Sequence, residues 1–256
     1  MLRLKFSPGH DNAKLAKLEK RLKKKVYTFS LMSGHTCPYA KDCHSKAVSI
    51  RNGEETEIFD IAGETFIIKD GPHTQFRCFS ASQDVLFPAL RQQREYNGQI
   101  LEVAGRSVMQ AANIILESLP INAKVVRIHV GGDFKTQAYF DAWHYVAQLR
   151  PDITFYAYTK SLPFWVKRIN DIPNNFHLTA SHGGYRDDLI DKYNLRFAKV
   201  VFSKAEAKQL GLTIDHDDSH AAKPGPSFAL LLHGTQPKGS EAATALKKLR
   251  KIKAVA

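Results

Sequence analysis

The sequence predicts an α/β fold built on a parallel sheet, and two patterns support this prediction. In the second half, four short β-branched and aromatic segments are each followed by a helical pattern. Glycines and polar side chains follow each of these segments, where the carboxyl ends of parallel strands meet. Such alternation is typical of a βα-barrel, a partial barrel or a doubly wound sheet. No linker-like composition divides residues 1–256, so we expect one domain.

The first half carries the less regular elements. A basic helix is predicted within residues 1–26, where Leu15, Leu18 and Leu22 share one face. The run VYTFSLM predicts a strand, and the stretch SGHTCPYAKDCHSKA follows as a loop at its carboxyl end. Alternating apolar and polar residues over 48–72, with turn signals at Asn52-Gly53 and Gly63, predict a small β excursion. A helix is expected to start or be interrupted near Pro88, and a long helix spans about 99 to 119.

The second half repeats one unit four times. The predicted strands cover residues 125–130, 153–159, 175–181 and 196–203, and a helix follows each. A last strand over 227–234 precedes a basic helix over 240–256. On the second of these strands, Tyr156, Tyr158 and Lys160 share one face, and Phe155, Ala157 and Thr159 share the other. Ordinary packing is the expected role of the two tyrosines.

Composition restricts the functional class. The chain is 43% hydrophobic and 24% charged, as in ordinary globular proteins. With three cysteines, no signal-peptide pattern and no apolar run of about 20 residues, we expect a protein of the reducing cytoplasm that makes no membrane contact.

The net charge of +12 is concentrated at the two ends of the chain. This favours a polyanionic partner such as nucleic acid, although solvated helices explain it equally well. The basic residues concerned are Lys14, Lys17, Lys20, Arg21, Lys23, Lys24 and Lys25 at one end, and Lys247, Lys248, Arg250, Lys251 and Lys253 at the other.

The cysteines are the strongest chemical signal. Thiolates are soft donors suited to zinc or to iron–sulfur clusters. Five residues separate Cys37 from Cys43, which is not the usual zinc spacing, and a zinc site would need His35 or His44 to complete it. A four-iron cluster held by three cysteines instead leaves one iron open to a substrate or cofactor. The remaining interpretation is that the three cysteines are unrelated core residues.

Several motifs carry a resemblance to known families. The cysteine loop after the first strand, the HVGGDF turn after the next and the βα repeats resemble the radical S-adenosylmethionine superfamily. More narrowly, CPYAKDC, RCFSASQD, HVGGDF and FYAYTK are similar to an uncharacterised phage family called gene product 88, over most of the chain from Phe29 onward. The resemblance implies a partial parallel βα-barrel of the radical S-adenosylmethionine type, to which this sequence adds a small β insertion between the cysteines and basic terminal helices.

The resemblance also implies cofactors and site residues. Cys37, Cys43 and Cys78 would bind a [4Fe-4S] cluster, although the superfamily usually places all three in one short CxxxCxxC stretch. S-adenosylmethionine would bind the open iron, and its one-electron reduction by an external electron donor would yield a 5′-deoxyadenosyl radical. Gly131, Gly132 and Asp133 correspond to the GGE turn that contacts the methionine amine, with Asp in place of Glu. If the chain is phage-encoded, the compartment is the host cytoplasm.

Two further predictions concern polar positions outside these motifs. Among strand-end residues, Thr159 and Ser181 are our candidates for additional cofactor contact. The run TIDHDDSHAAKPGP clusters Asp215, Asp217 and Asp218 with two histidines, which suits a divalent cation in a metal-assisted nuclease or a solvated acidic turn.

The sequence leaves two functions open. The first is a radical S-adenosylmethionine-like enzyme of unknown substrate, acting on a nucleotide or nucleic acid. The alternative is a basic nucleic-acid-binding protein with a structural zinc or iron–sulfur site and no turnover.

Overall fold

The central feature of the structure, a computed structural model, is a largely parallel eight-stranded sheet. The structure describes residues 2–51, 54–56 and 65–255, so the predicted turns at Asn52-Gly53 and Gly63 lie outside the described residues. In chain order the strands are β1 (Ser7–Pro8), β2 (Val26–Phe29), β3 (Ser45–Arg51), β4 (Glu54–Thr56), β5 (Thr65–Asp70), β6 (Val125–Ile128), β7 (Thr154–Thr159), β8 (Phe176–Ser181), β9 (Phe197–Val201), β10 (Thr213–Ile214) and β11 (Phe228–Leu231).

The order of the central sheet is β1-β2-β6-β7-β8-β9-β11-β10. Only β1 is antiparallel to its neighbour, and from β2 to β9 each crossover moves the chain one strand further in the same direction. The predicted parallel sheet and its four βα units are therefore confirmed. In the described part of the chain β1 and β10 remain at opposite edges, so the sheet is open and the expected barrel is not closed.

The helices follow the predicted sequence with one correction. They are α1 (Ala13–Leu22), α2 (Phe79–Leu86), α3 (Pro88–Ala104), α4 (Val108–Ser118), α5 (Gln137–Leu149), α6 (Leu162–Val166), α7 (Asp188–Lys192), α8 (Lys204–Gln209) and α9 (Glu241–Val255). The single helix predicted over 99–119 is wrong, because α3 ends at Ala104 with Gly105 as its C-cap, and Ser107 starts a new helix by accepting a hydrogen bond from the Gln110 amide. No described helix is both long enough and apolar enough to cross a bilayer.

The two faces of the central sheet are covered differently. One face packs against apolar side chains of α3 to α7, with Trp143 of α5 fully buried among them. On the other face, Leu15 and Leu18 of α1 pack with Ala221, Ala222 and the sheet residue Phe228. The strand alternation is confirmed, since the side chains of β7 divide between these two clusters.

The predicted β excursion is a separate antiparallel sheet of order β4-β3-β5. Its two ends meet at their base, where the Gly71 amide donates to the His44 carbonyl at 2.6 Å and the Gln75 amide to the Asp42 carbonyl at 2.8 Å. Because β3 and β5 pair from Ser45 opposite Asp70, the chain leaves the cysteine loop and returns to it. This return positions Cys78.

Candidate functional site

The three cysteines lie together at the carboxyl end of β2. Cys37 and Cys43 are in the loop after this strand, and the segment between them is held against the end of β8 by a bridge between Ala40 and Gly184. Cys78 precedes the first residue of α2, and its amide donates to the Ser45 hydroxyl at 3.3 Å. All three are free and partly buried, and the electrostatic influence of Cys43 on both Cys37 and Cys78 indicates that the sequence-distant third thiol lies near the other two.

Burial and neighbouring charges keep the thiols of Cys37 and Cys78 protonated. Burial raises the pKa of Cys37 well above its usual value, and Asp133, Cys78 and Cys43 raise it further. Burial and the nearby Cys43 raise the pKa of Cys78 to about 12, although the amides of Ser80 and Ala81 oppose the shift. Because Cys43 acts on the pKa of both Cys37 and Cys78, the three thiols are close neighbours in the fold.

The predicted Gly-Gly turn lies directly beside the cysteine loop. A Cβ atom on Gly131 would collide with the Ser80 hydroxyl of α2. Gly132 has a φ of +84°, and a Cβ there would lie 2.6 Å from the Thr36 hydroxyl oxygen. The turn therefore fits between the segments that carry Cys37 and Cys78 only because both residues lack a side chain.

The other predicted cofactor residues form one connected group at the ends of β7 and β8. Asp133 is buried, and its carboxylate accepts from the Thr159 hydroxyl at 2.6 Å and from the Lys160 amide at 2.8 Å. The Lys160 ammonium donates to the Ser181 hydroxyl at 2.7 Å and to the Ser181 and His182 carbonyls. Burial raises the pKa of Asp133, and these hydrogen bonds oppose the increase. Lys160 thus connects Asp133 and Thr159 to Ser181.

A buried ion pair next to the thiols was missed by sequence reasoning. Arg94 of α3 pairs with Asp84 of α2, and both side chains are almost fully buried. Asp84 also accepts from the Ser33 amide at 3.1 Å, and its charge contributes to the raised pKa of Cys78. The pair holds α2 and α3 against the start of the cysteine loop. Ten residues separate the partners and each belongs to a different helix, so no helical spacing indicated the contact.

His129 directly follows β6, which ends two residues before the predicted strand end. Its φ of 67° is in the left-handed region, and its Nε2 lies 2.9 Å from the Tyr139 hydroxyl. Burial and the charge of Arg127 lower its pKa to about 3, so the imidazole is neutral. His129 is therefore a packed and hydrogen-bonded residue.

The acidic run after β10 forms internal ion pairs. Asp218 is fully buried and pairs with Arg127 of β6 and with Lys14 of α1, at 2.7 Å for the latter. The hydroxyls of Tyr156 and Tyr158 donate to the same carboxylate at 3.2 Å each. The tyrosines are therefore packing residues, as expected, but with a polar partner that the sequence did not indicate. Across the described residues, no three His, Cys, Asp or Glu side chains are arranged to hold a single metal ion.

The two basic ends lie at different edges of the central sheet. Lys20, Lys23, Lys24 and Lys25 precede β2 and so lie at its amino end, away from the cysteine loop. The C-terminal helix α9 instead packs its apolar face on Phe76 and on the residues that end β9 and β11. Gln236, just before α9, accepts from the Arg77 amide at 2.8 Å. Only α9 is on the side of the thiols.

Comparison with known proteins identifies the family. No curated protein and no solved structure matches the chain. The model of the family described as Gene product 88 matches residues 3–251, which covers the sheet, the insertion and all three cysteines. The chain therefore belongs to the bacteriophage Gene product 88 family.

Proposed function

We propose that Cys37, Cys43 and Cys78 bind a [4Fe-4S] cluster and that the protein is a radical S-adenosylmethionine-like enzyme. The observation that carries this proposal is the meeting of three thiols, from two distant segments, at the carboxyl end of a parallel sheet beside a Gly-Gly-Asp turn. Active sites of parallel βα folds are built from the loops at this end of the strands.

The surroundings of the thiols fit an iron–sulfur cluster. Iron–sulfur clusters are bound by cysteine thiolates and tuned by hydrogen bonds to sulfur. The Gly34 amide already donates to the Cys37 sulfur at 3.4 Å, and the Ser80 and Ala81 amides lie near that of Cys78. The ligands of a cluster bind separate irons, so they surround the cluster and need not converge on one point.

Other residues of the chain orient the proposed cofactor site. When bound, the cluster and S-adenosylmethionine would supply the electron transfer and the radical chemistry. Gly131 and Gly132 let the turn pack closely against Ser80 and Thr36, while Asp133, Thr159 and Ser181 are fixed by hydrogen bonds through Lys160. Such preorganisation holds polar groups in place before a ligand arrives.

The proposed partner of this site is nucleic acid, and the proposed compartment is the host cytoplasm, where thiols stay reduced and electron donors are present. The exposed face of α9 carries Lys247, Lys248 and Lys251, and it lies on the thiol side of the sheet. A cationic face at this position favours an anionic polymer through counterion release.

The first test is turnover under anaerobic reducing conditions. The reconstituted protein should release 5′-deoxyadenosine from S-adenosylmethionine, measured by chromatography, and Cys37→Ala should abolish the release. Because Thr36→Ala lies next to that ligand and leaves the thiol in place, it serves as the matched control and should retain turnover. A brown protein that never releases 5′-deoxyadenosine would contradict the enzymatic half of the proposal.

A second candidate function is a nucleic-acid-binding protein whose zinc or iron–sulfur site is structural. The basic face of α9 beside the thiols is the observation that favours it. A colourless protein with one bound zinc and salt-dependent binding of nucleic acid would support this alternative and exclude the cluster.

A further inference from the structure

A cavity of about 770 Å³ lies between the start of the cysteine loop, helix α3 and the start of α5. This volume is in the range of sites for small molecules. Its floor is apolar, with Leu31, Met32, Leu101 and the ring of Tyr139. Three of these belong to the core on the helix-covered face of the sheet, so the cavity opens from that face.

Gly98 keeps this cavity open. It lies in the middle of α3, where glycine is less favourable than alanine, and no atom lies within 4 Å of a Cβ built on it. Packing within the described chain therefore does not require a glycine at this position. Gly98 lines the cavity, so a larger side chain at this position would fill part of the cavity.

One rim of the cavity has an excess of positive charge. Lys135 pairs with Glu102 at 2.8 Å, and Arg106 is close enough to contribute, after Lys135, to a lowered pKa of Glu102. Two cations thus face one carboxylate. The other carboxylate in the lining, Glu95, lies two turns before Glu102 in α3 and 4.0 Å from Arg91.

We propose that this cavity binds a small molecule with a flat aromatic body and one anionic group. The apolar floor and the bare backbone at Gly98 accommodate the body, and the Lys135–Arg106 rim attracts the anion. His35 and Thr36, which precede Cys37, line the cavity, but none of the three cysteines does.

The probe is 8-anilinonaphthalene-1-sulfonate, which has an aromatic body and one sulfonate. It should bind the full chain at one site with enhanced fluorescence. Gly98→Leu should weaken this binding by about tenfold or more, because its side chain occupies the cavity. The variant should keep or raise the melting temperature, since glycine is replaced within a helix.

Gln92→Leu is the matched control, because it adds an exposed leucine to the same helix outside the cavity. It should bind the probe like the unaltered protein. Equal binding by Gly98→Leu and Gln92→Leu would overturn the proposal.

The charged rim is tested separately, with variants on the protein surface. The double variant Lys135→Gln/Arg106→Gln should weaken the sulfonate probe but leave binding of neutral N-phenyl-1-naphthylamine unchanged. If the double variant affects both probes equally, or neither, the proposed recognition of an anion is wrong.

Discussion

Asp218 is the residue whose surroundings differ most from what its sequence neighbours suggest. Its φ of 61° is in the left-handed region, and its side chain is fully buried. Burial alone would raise its pKa, but Arg127 and Lys14 outweigh burial and hold the pKa below its usual value of 3.8. The carboxylate therefore connects α1, β6 and the loop after β10.

Asp218→Asn should lower the free energy of unfolding by about 3–5 kcal/mol, since it leaves the buried Arg127 and the partly exposed Lys14 beside a neutral group. Asparagine tolerates the left-handed backbone, so lost charge is the cause. Because the folded pKa of Asp218 is lowered, its contribution is complete above pH 3.8 and is lost as pH falls toward the folded pKa. Denaturant unfolding between pH 7 and pH 2 measures both effects.

Asp217→Asn is the control from the same loop. Its partner Arg21 lies 3.1 Å away but is largely exposed, so the loss should stay below about 1 kcal/mol. If the two variants are equally destabilised, or if the Asp218→Asn deficit persists unchanged at pH 2, the assigned role of Asp218 is wrong.

For single residues, the sequence showed which side chains could carry chemistry, but it did not show which residues they contact. The acidic run was visible, but the partners of Asp218 are Arg127, Tyr156 and Tyr158, which only the folded sheet brings close. The Asp84–Arg94 pair was missed for the same reason. In contrast, the three cysteines were identifiable because their chemistry is rare in a chain of this length.

The insertion sheet explains why the third cysteine is so far from the first two. The pairing of β3 with β5 returns the chain to the cysteine loop, where the Cys78 amide reaches Ser45. Alternation predicted this excursion, but pairing register is not readable from one strand alone. The edge strands β1 and β10 were not predicted, because two residues are too few to show a period.

Helix α9 gives the sharpest prediction among the elements. Lys247→Gln/Lys251→Gln should weaken binding of a single-stranded oligonucleotide and reduce the slope of log affinity against log salt by about two. Lys20→Gln/Lys24→Gln removes the same charge from the end of α1 and the turn after it, at the amino end of β2, and should change neither by a comparable amount. Fluorescence anisotropy over a salt series measures both.

An equal effect of the two double variants would show that net charge alone, and not the position of α9, governs binding. Affinity that does not vary with salt would contradict phosphate contact by either helix.

For the whole molecule, the sequence predicted the order of βα units but not the closure of the sheet. Each unit is visible as an apolar strand followed by a helical period, so the parallel neighbours from β6 to β9 followed directly. Closure depends on whether the edge strands β1 and β10 pair with each other, and neither strand could be recognised in the sequence. The site at the carboxyl ends was predictable because parallel strands bring those ends together.

The central claim is that Cys78 joins Cys37 and Cys43 in one cluster, and metal analysis of anaerobically reconstituted variants tests it most directly. The unaltered protein and His44→Ala should each hold about four irons and about four inorganic sulfides per chain. Cys78→Ala should lose the cluster as completely as Cys37→Ala. One zinc per chain that His44→Ala abolishes, or a full cluster in Cys78→Ala, would contradict the account.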